Sequence, residues 1–83
     1  MSKLYDLTVP LSADLATFPG DPVFRLTATH RIRDGQPYNV SQVVVGTHAG
    51  THVDAPWHFL DDGAKVDELP LEILVGKARV VAV

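Results

Sequence analysis

Val23-Phe24-Arg25-Leu26-Thr27-Ala28-Thr29-His30-Arg31-Ile32 alternates cleanly: Phe24, Leu26, Ala28, His30 and Ile32 fall on one face of an extended chain, with Arg25, Thr27, Thr29 and Arg31 on the other. That period of two is the mark of a half-buried strand. Asp34-Gly35-Gln36-Pro37 follows as a turn, and the valine-rich run Tyr38 to Gly46 reads as a second strand, so residues 23–46 are expected to form an antiparallel hairpin. Upstream, Leu4 to Val9 reads as a short strand stopped by Pro10, and Pro19-Gly20-Asp21-Pro22 is a dense turn signal. Downstream, Gly50, Pro56 and Gly63 rule out a continuous helix through 47–63, which reads as a strand end and then a shaped loop. Leu69, Leu71, Ile73 and Leu74, with acids in front, Pro70 near the start and Gly76 at the end, predict a short helix over about 67–75. Ala78 to Val83 is a last apolar strand. Four strands and one helix make an α/β piece, and residues 1–83 are expected to be the N-terminal part of a larger domain.

Composition narrows the class. Of 83 residues, 46% are apolar and 20% charged, too apolar for a disordered chain. With no cysteine there are no disulfides, no thiol nucleophile and no Cys-based zinc site; a metal held by His and carboxylate stays open. A net charge of −3 offers no footprint for nucleic acid or an anionic membrane, and no apolar run approaches the roughly 20 residues of a membrane helix. The first residues lack a signal peptide's apolar core, so the cytoplasm is the default compartment. Residues 1–47 carry four bases and four acids, whereas 48–83 carry three and six; the acidic excess lies wholly in the second stretch.

Three of the four histidines stand in eleven residues, His48, His52 and His58, with Asp54 among them. His48, His52 and Asp54 share even numbers and hence one face of an extended chain. Fully extended, His48 and His52 would lie about 13 Å apart at their α-carbons, near the limit for two imidazoles on one ion. The backbone is therefore expected to bend at Ala49-Gly50, where glycine accepts conformations other residues resist. His-x3-His-x-Asp offers two nitrogens and a carboxylate, a donor set for zinc, manganese or iron(II) rather than magnesium. The competing reading is a set of loop polar residues satisfied by hydrogen bonds.

His58, beyond Pro56, is either a further ligand or a free acid/base, since an imidazole exchanges protons near neutral pH. Thr51 either orients a ligand through its hydroxyl or is simply a β-branched strand residue. His30, among apolar neighbours, reads as a core or edge histidine, and Trp57 and Phe59 as packing.

The stretch His48-Ala49-Gly50-Thr51-His52-Val53-Asp54-Ala55-Pro56-Trp57-His58-Phe59 closely resembles the H-x-G-T-H-x-D-x-P-x-H-F signature of the cyclase family, which includes bacterial kynurenine formamidases and isatin hydrolases. The likeness extends to the Asp6-Leu7 segment, the Phe18-Pro19-Gly20-Asp21 turn and the region from Leu69-Pro70-Leu71 to Gly76. It implies the swivelling β/β/α fold, a barrel-like mixed sheet flanked by helices and here incomplete. It also implies a metal-dependent amide hydrolase in which His48 and His52 bind one divalent ion, Asp54 bridges it to a second, and His58 donates and accepts the proton. Zinc is the first choice of metal and manganese the second. Phe18 stands where kynurenine formamidases carry a tryptophan against the aromatic substrate, so it is the implied substrate platform. The family draws a further His and a Glu from its C-terminal half, which implies association with the rest of the fold or a homodimer.

The leading expectation is hydrolysis of small amides such as N-formylkynurenine. Its rivals are a non-catalytic metal-binding or assembly module that keeps the motif, and a family member acting on a different cyclic amide such as isatin.

Overall fold

The computed structural model describes residues 2–83, which divide into two compact units, Met1–Val53 and Asp54–Val83. Among the described residues the secondary structure is a two-stranded antiparallel sheet and four 3₁₀ turns.

The hairpin lies in the first unit. Strand β1 (Arg25–His30) pairs with β2 (Val40–Val44) in the register Arg25↔Val44 to His30↔Val40, with a bulge between Ala28 and His30. Thr29 is the extra residue at that bulge, and its hydroxyl donates to the Val40 carbonyl at 3.1 Å. Both strands are shorter than their apolar patterns. Ile32–Asp34 leaves the ladder for a 3₁₀ turn closed by Gly35 at φ +92°, and the Ile32 amide donates to Asn39 Oδ1 at 2.8 Å instead of to a strand. His30 sits at this loop end, half-buried, its ring centroid 5.3 Å from that of Tyr38, so it is an edge histidine. Phe24, just before β1, is the buried apolar residue of the alternating face.

Before the hairpin, the Asp21 amide donates to the Phe18 carbonyl at 2.9 Å, with Gly20 at φ +93°. Proline then positive-φ glycine in the two central places is the type II arrangement. The expected strand Leu4 to Val9 does not form. Its polar groups bond side chains rather than a ladder: the Thr8 amide donates to Asp6 Oδ1 at 2.9 Å, and the Val9 amide to Thr51 Oγ1 at 2.8 Å. The Thr8 hydroxyl also donates to Asp6, and the two bonds hold that carboxyl below the usual carboxylate range.

In the second unit the expected helix over 67–75 is replaced by two 3₁₀ turns, Val66–Glu68 and Leu71–Ile73. Pro70 is the cause. It removes an amide donor and drives the preceding residue out of the α region, and Leu69 is accordingly extended at φ −77°, ψ 138°. Pro70 then precedes the second turn, while Glu68 Oε1 accepts the Lys65 amide at 3.0 Å over the first. A further 3₁₀ turn, Pro56–His58, is folded against residues 60–64: the Trp57 amide reaches the Ala64 carbonyl at 3.0 Å. A β-carbon on Gly63 would lie 2.8 Å from the Pro56 carbonyl carbon, so only glycine fits there. The expected strand Ala78 to Val83 is also absent; an apolar run forms a strand only against a partner, and no ladder is offered to it among the described residues.

Accessible surface totals 8037 Å² for a 9.0 kDa chain, where a folded monomer of that mass would expose about 4,900 Å². Local hydrogen bonds and turns therefore carry more of the order here than a hydrophobic core does. No helix among the described residues is long and apolar enough to cross a membrane.

Replacing Pro70 tests the account of the broken helix. Pro70→Ala removes a penalty of about 3 kcal/mol against helix, and far-ultraviolet circular dichroism should gain helical signal at 222 nm. An unchanged spectrum would show that Pro70 is not what divides this segment.

Candidate metal centre

Past β2 the chain turns sharply. The Ala49 amide donates to the Gly46 carbonyl at 3.1 Å, which places His48 at the third position of a four-residue turn, and Gly50 follows at φ +68°. An L-residue there would crowd its β-carbon against the next carbonyl. Space is tight as well, because a β-carbon at Gly50 would stand 2.9 Å from Leu11 Cδ2, a terminal methyl that would have to turn aside. The bend expected at Ala49-Gly50 is thus present, and its effect on the two histidines is direct.

His48 Nδ1 lies 3.2 Å from His52 Nε2, with the rings edge to face at 83° and their centroids 5.0 Å apart. His52 Nδ1 is 2.8 Å from the Gly50 carbonyl oxygen. A carbonyl only accepts, so His52 Nδ1 carries the hydrogen, and Nε2 of the neutral ring holds the lone pair. His48 Nδ1–H then donates to that lone pair. A metal-ligating histidine commonly has its other N–H held by a backbone carbonyl in this way. The spacing also suits an ion once His48 takes the tautomer with its hydrogen on Nε2, which frees the Nδ1 lone pair: two nitrogens on a tetrahedral centre with bonds of ~2.1 Å lie about 3.4 Å apart. His48 is half-buried and His52 exposed, which leaves the pair reachable from solvent.

Thr51 has a tie that its position did not suggest. Its hydroxyl oxygen accepts the Val9 amide, tying a residue 42 positions earlier to the loop. An open cleft of about 610 Å³ is lined by residues 8–11 and by Val45, Gly46, Thr47, Ala49, Thr51 and His52. The part played by residues 8–15 was not legible in the sequence. Leu11 and Leu15 are two apolar residues four apart in a loop, a weak signal without the glycine they cover. Phe18 opens the type II turn with its side chain 77% exposed.

The second unit opens with exposed Asp54, two residues beyond His52 in the chain. Ala55 is extended at φ −83°, ψ 158°, as the residue before a proline should be, and Pro56 starts the turn that ends in His58. The His58 amide donates to the Ala55 carbonyl at 2.9 Å, and its exposed ring lies 4.4 Å from that of Phe59. Trp57 is a packing residue in part, as the Lys65 ammonium sits 5.1 Å from its ring centroid. Phe59 is 82% exposed, so the packing expected of it is limited to contacts such as that with the His58 ring.

The family model described as "Putative cyclase" matches residues 5–83. Kynurenine formamidases from Bacillus mycoides (strain KBAB4) and Bacillus anthracis are each 39% identical over 82 residues, covering 99% of this chain and 39% of theirs. One from Bacillus cereus (strain ATCC 14579) is 38% identical over the same span. The chain thus spans 39% of the length of these relatives.

Two glycines separate strain from crowding. Gly20 and Gly50 both have positive φ, but no atom lies within 4 Å of a β-carbon at Gly20. Alanine costs about 1–2 kcal/mol in conformation at either place, and crowding by Leu11 should make Gly50→Ala the more damaging in urea denaturation. Equal losses would contradict the close approach of Leu11.

Proposed function

The chain belongs to the cyclase family, and on that premise we propose that it carries ligands and a proton-transfer group of a metal-dependent hydrolase of small amides, with N-formylated aromatic amines as substrates. The observation that carries this reading is the pair His48 Nδ1 and His52 Nε2 at 3.2 Å, with His52 Nδ1–H held on Gly50. Kynurenine formamidase activity, named for the relatives above, supports the substrate class.

His48, His52 and Asp54 are the proposed ligands. Two imidazoles and a carboxylate would suit zinc first and manganese second, and Asp54 would also serve a second ion where further donors are supplied. A divalent ion, when bound, supplies Lewis-acid polarisation of the amide carbonyl and lowers the pKa of water. His58 takes the proton from the attacking water and delivers it to the departing nitrogen. In balance, a water oxygen bonds the formyl carbon, the carbon–nitrogen bond breaks, one water proton ends on the departing nitrogen, and formate, the free amine and the second proton leave. Phe18, aromatic and exposed, is the proposed stacking surface for the aryl ring.

The swivelling, barrel-like β/β/α architecture belongs to the same proposal, as does association with a second copy or with the rest of the fold. The large exposed apolar surface, including Leu4, Leu7, Val80 and Val81, supports association, because such surface is stabilised by cover. The cytoplasm is the proposed compartment.

The test is release of formate from N-formylkynurenine by the chain loaded with Zn²⁺ or Mn²⁺. Chelation should abolish turnover, and His58→Ala should lower kcat by about 10²-fold or more with metal content unchanged. Full activity in that variant would remove His58 from the mechanism, and full activity after chelation would remove the metal.

A further inference from the structure

We infer that the N-terminal segment 9–15 is a positioning element for the two histidines, acting through Thr51 and Gly50; the inference rests on the metal-site reading above.

Three observations within the first unit converge on it. The Val9 amide donates to Thr51 Oγ1 at 2.8 Å, fixing the loop immediately before His52. Leu11 Cδ2 lies 2.9 Å and Leu15 Cδ2 3.9 Å from where a Gly50 β-carbon would stand, so both side chains close over the residue that makes the bend. Gly50 in turn supplies the carbonyl that orients His52. The segment thus bears on both residues that precede His52, while touching neither of its ring nitrogens in these bonds.

The physical need is plain. The loop 46–52 is short of regular structure, and its local ties include the bonds from Ala49 to Gly46, between His48 and His52, and from His52 to Gly50. A loop held only locally samples many conformations, and each one frozen on metal uptake subtracts from affinity. Val9, Leu11 and Leu15 are remote in sequence, so their contacts remove that freedom before a metal arrives. Thr51 serves as an anchor through its acceptor oxygen, and that oxygen is the feature required.

The experiment is Co²⁺ titration of the unaltered chain and of Thr51→Val, Thr51→Ser, Val9→Pro and the Thr51→Val/Val9→Pro pair, read from the visible absorption of the bound ion. The metal-free readout is the ring-to-ring NOE between His48 and His52. Thr51→Val removes the acceptor with its shape kept, and Val9→Pro removes the donor. Each should weaken Co²⁺ binding by about tenfold, the pair by no more than either alone, and Thr51→Ser should retain it. The NOE should fade in Thr51→Val while hairpin resonances of Arg25–His30 stay in place. Unchanged affinity in Thr51→Val, additive losses in the pair, equal loss in Thr51→Ser, or collapse of the hairpin resonances would overturn the inference. If the unaltered chain takes up no Co²⁺, the metal reading fails, and the NOE alone decides the positioning role: fading in Thr51→Val supports it, persistence overturns it.

Discussion

With φ at +68°, Gly50 reverses the chain between two histidines that an extended backbone would hold about 13 Å apart, and the ring nitrogens meet at 3.2 Å. Most of what gives this chain a chemical identity depends on that bend. It sets the separation of the two nitrogens, and it aims the Gly50 carbonyl at His52 Nδ1 so that Nε2 keeps its lone pair. Glycine suits the position because its φ is one that L side chains rarely adopt, and a side chain there would also have to displace the terminal methyl of Leu11. A backbone constraint at one residue is thereby converted into donor geometry at two others.

The surroundings of the bend are held by hydrogen bonds more than by burial. Phe24 is the buried apolar residue of the hairpin, while Leu26, Val43 and Val44 remain largely exposed. Bonds that hold the loop include Ala49 to Gly46, His48 to His52, His52 to Gly50 and Val9 to Thr51. Each net bond contributes on the order of 1 kcal/mol, so the loss of any one is a large share of what keeps the loop in place. In the second unit the same economy holds, with Gly63 allowing the chain to close on Pro56 and Glu68 accepting the Lys65 amide.

What the sequence disclosed followed from local rules. Alternation from Phe24 to His30 specified the hairpin, Pro19-Gly20 specified the type II turn, and the reach of two imidazoles specified the bend at Ala49-Gly50. Features that need a distant partner were hidden. Leu4 to Val9 and Ala78 to Val83 have the composition of strands, but composition does not supply a ladder, and neither segment pairs. Thr51 gave no hint of Val9, 42 residues away. The helix over 67–75 fails for a local reason: three residues of the pattern precede Pro70, and Leu69 must leave the helical region to accommodate it.

The central claim is that the Gly50 bend presents His52 as an Nδ1–H imidazole with Nε2 ready for a metal. Long-range ¹⁵N–¹H correlation spectra of the histidine rings measure this directly. The account predicts that His52 of the metal-free chain is the Nδ1–H tautomer, and that on adding Zn²⁺ the resonances of His52 Nε2 and one His48 nitrogen shift together. A His52 ring protonated at Nε2 and lacking hydrogen at Nδ1, or one indifferent to Zn²⁺, would contradict it.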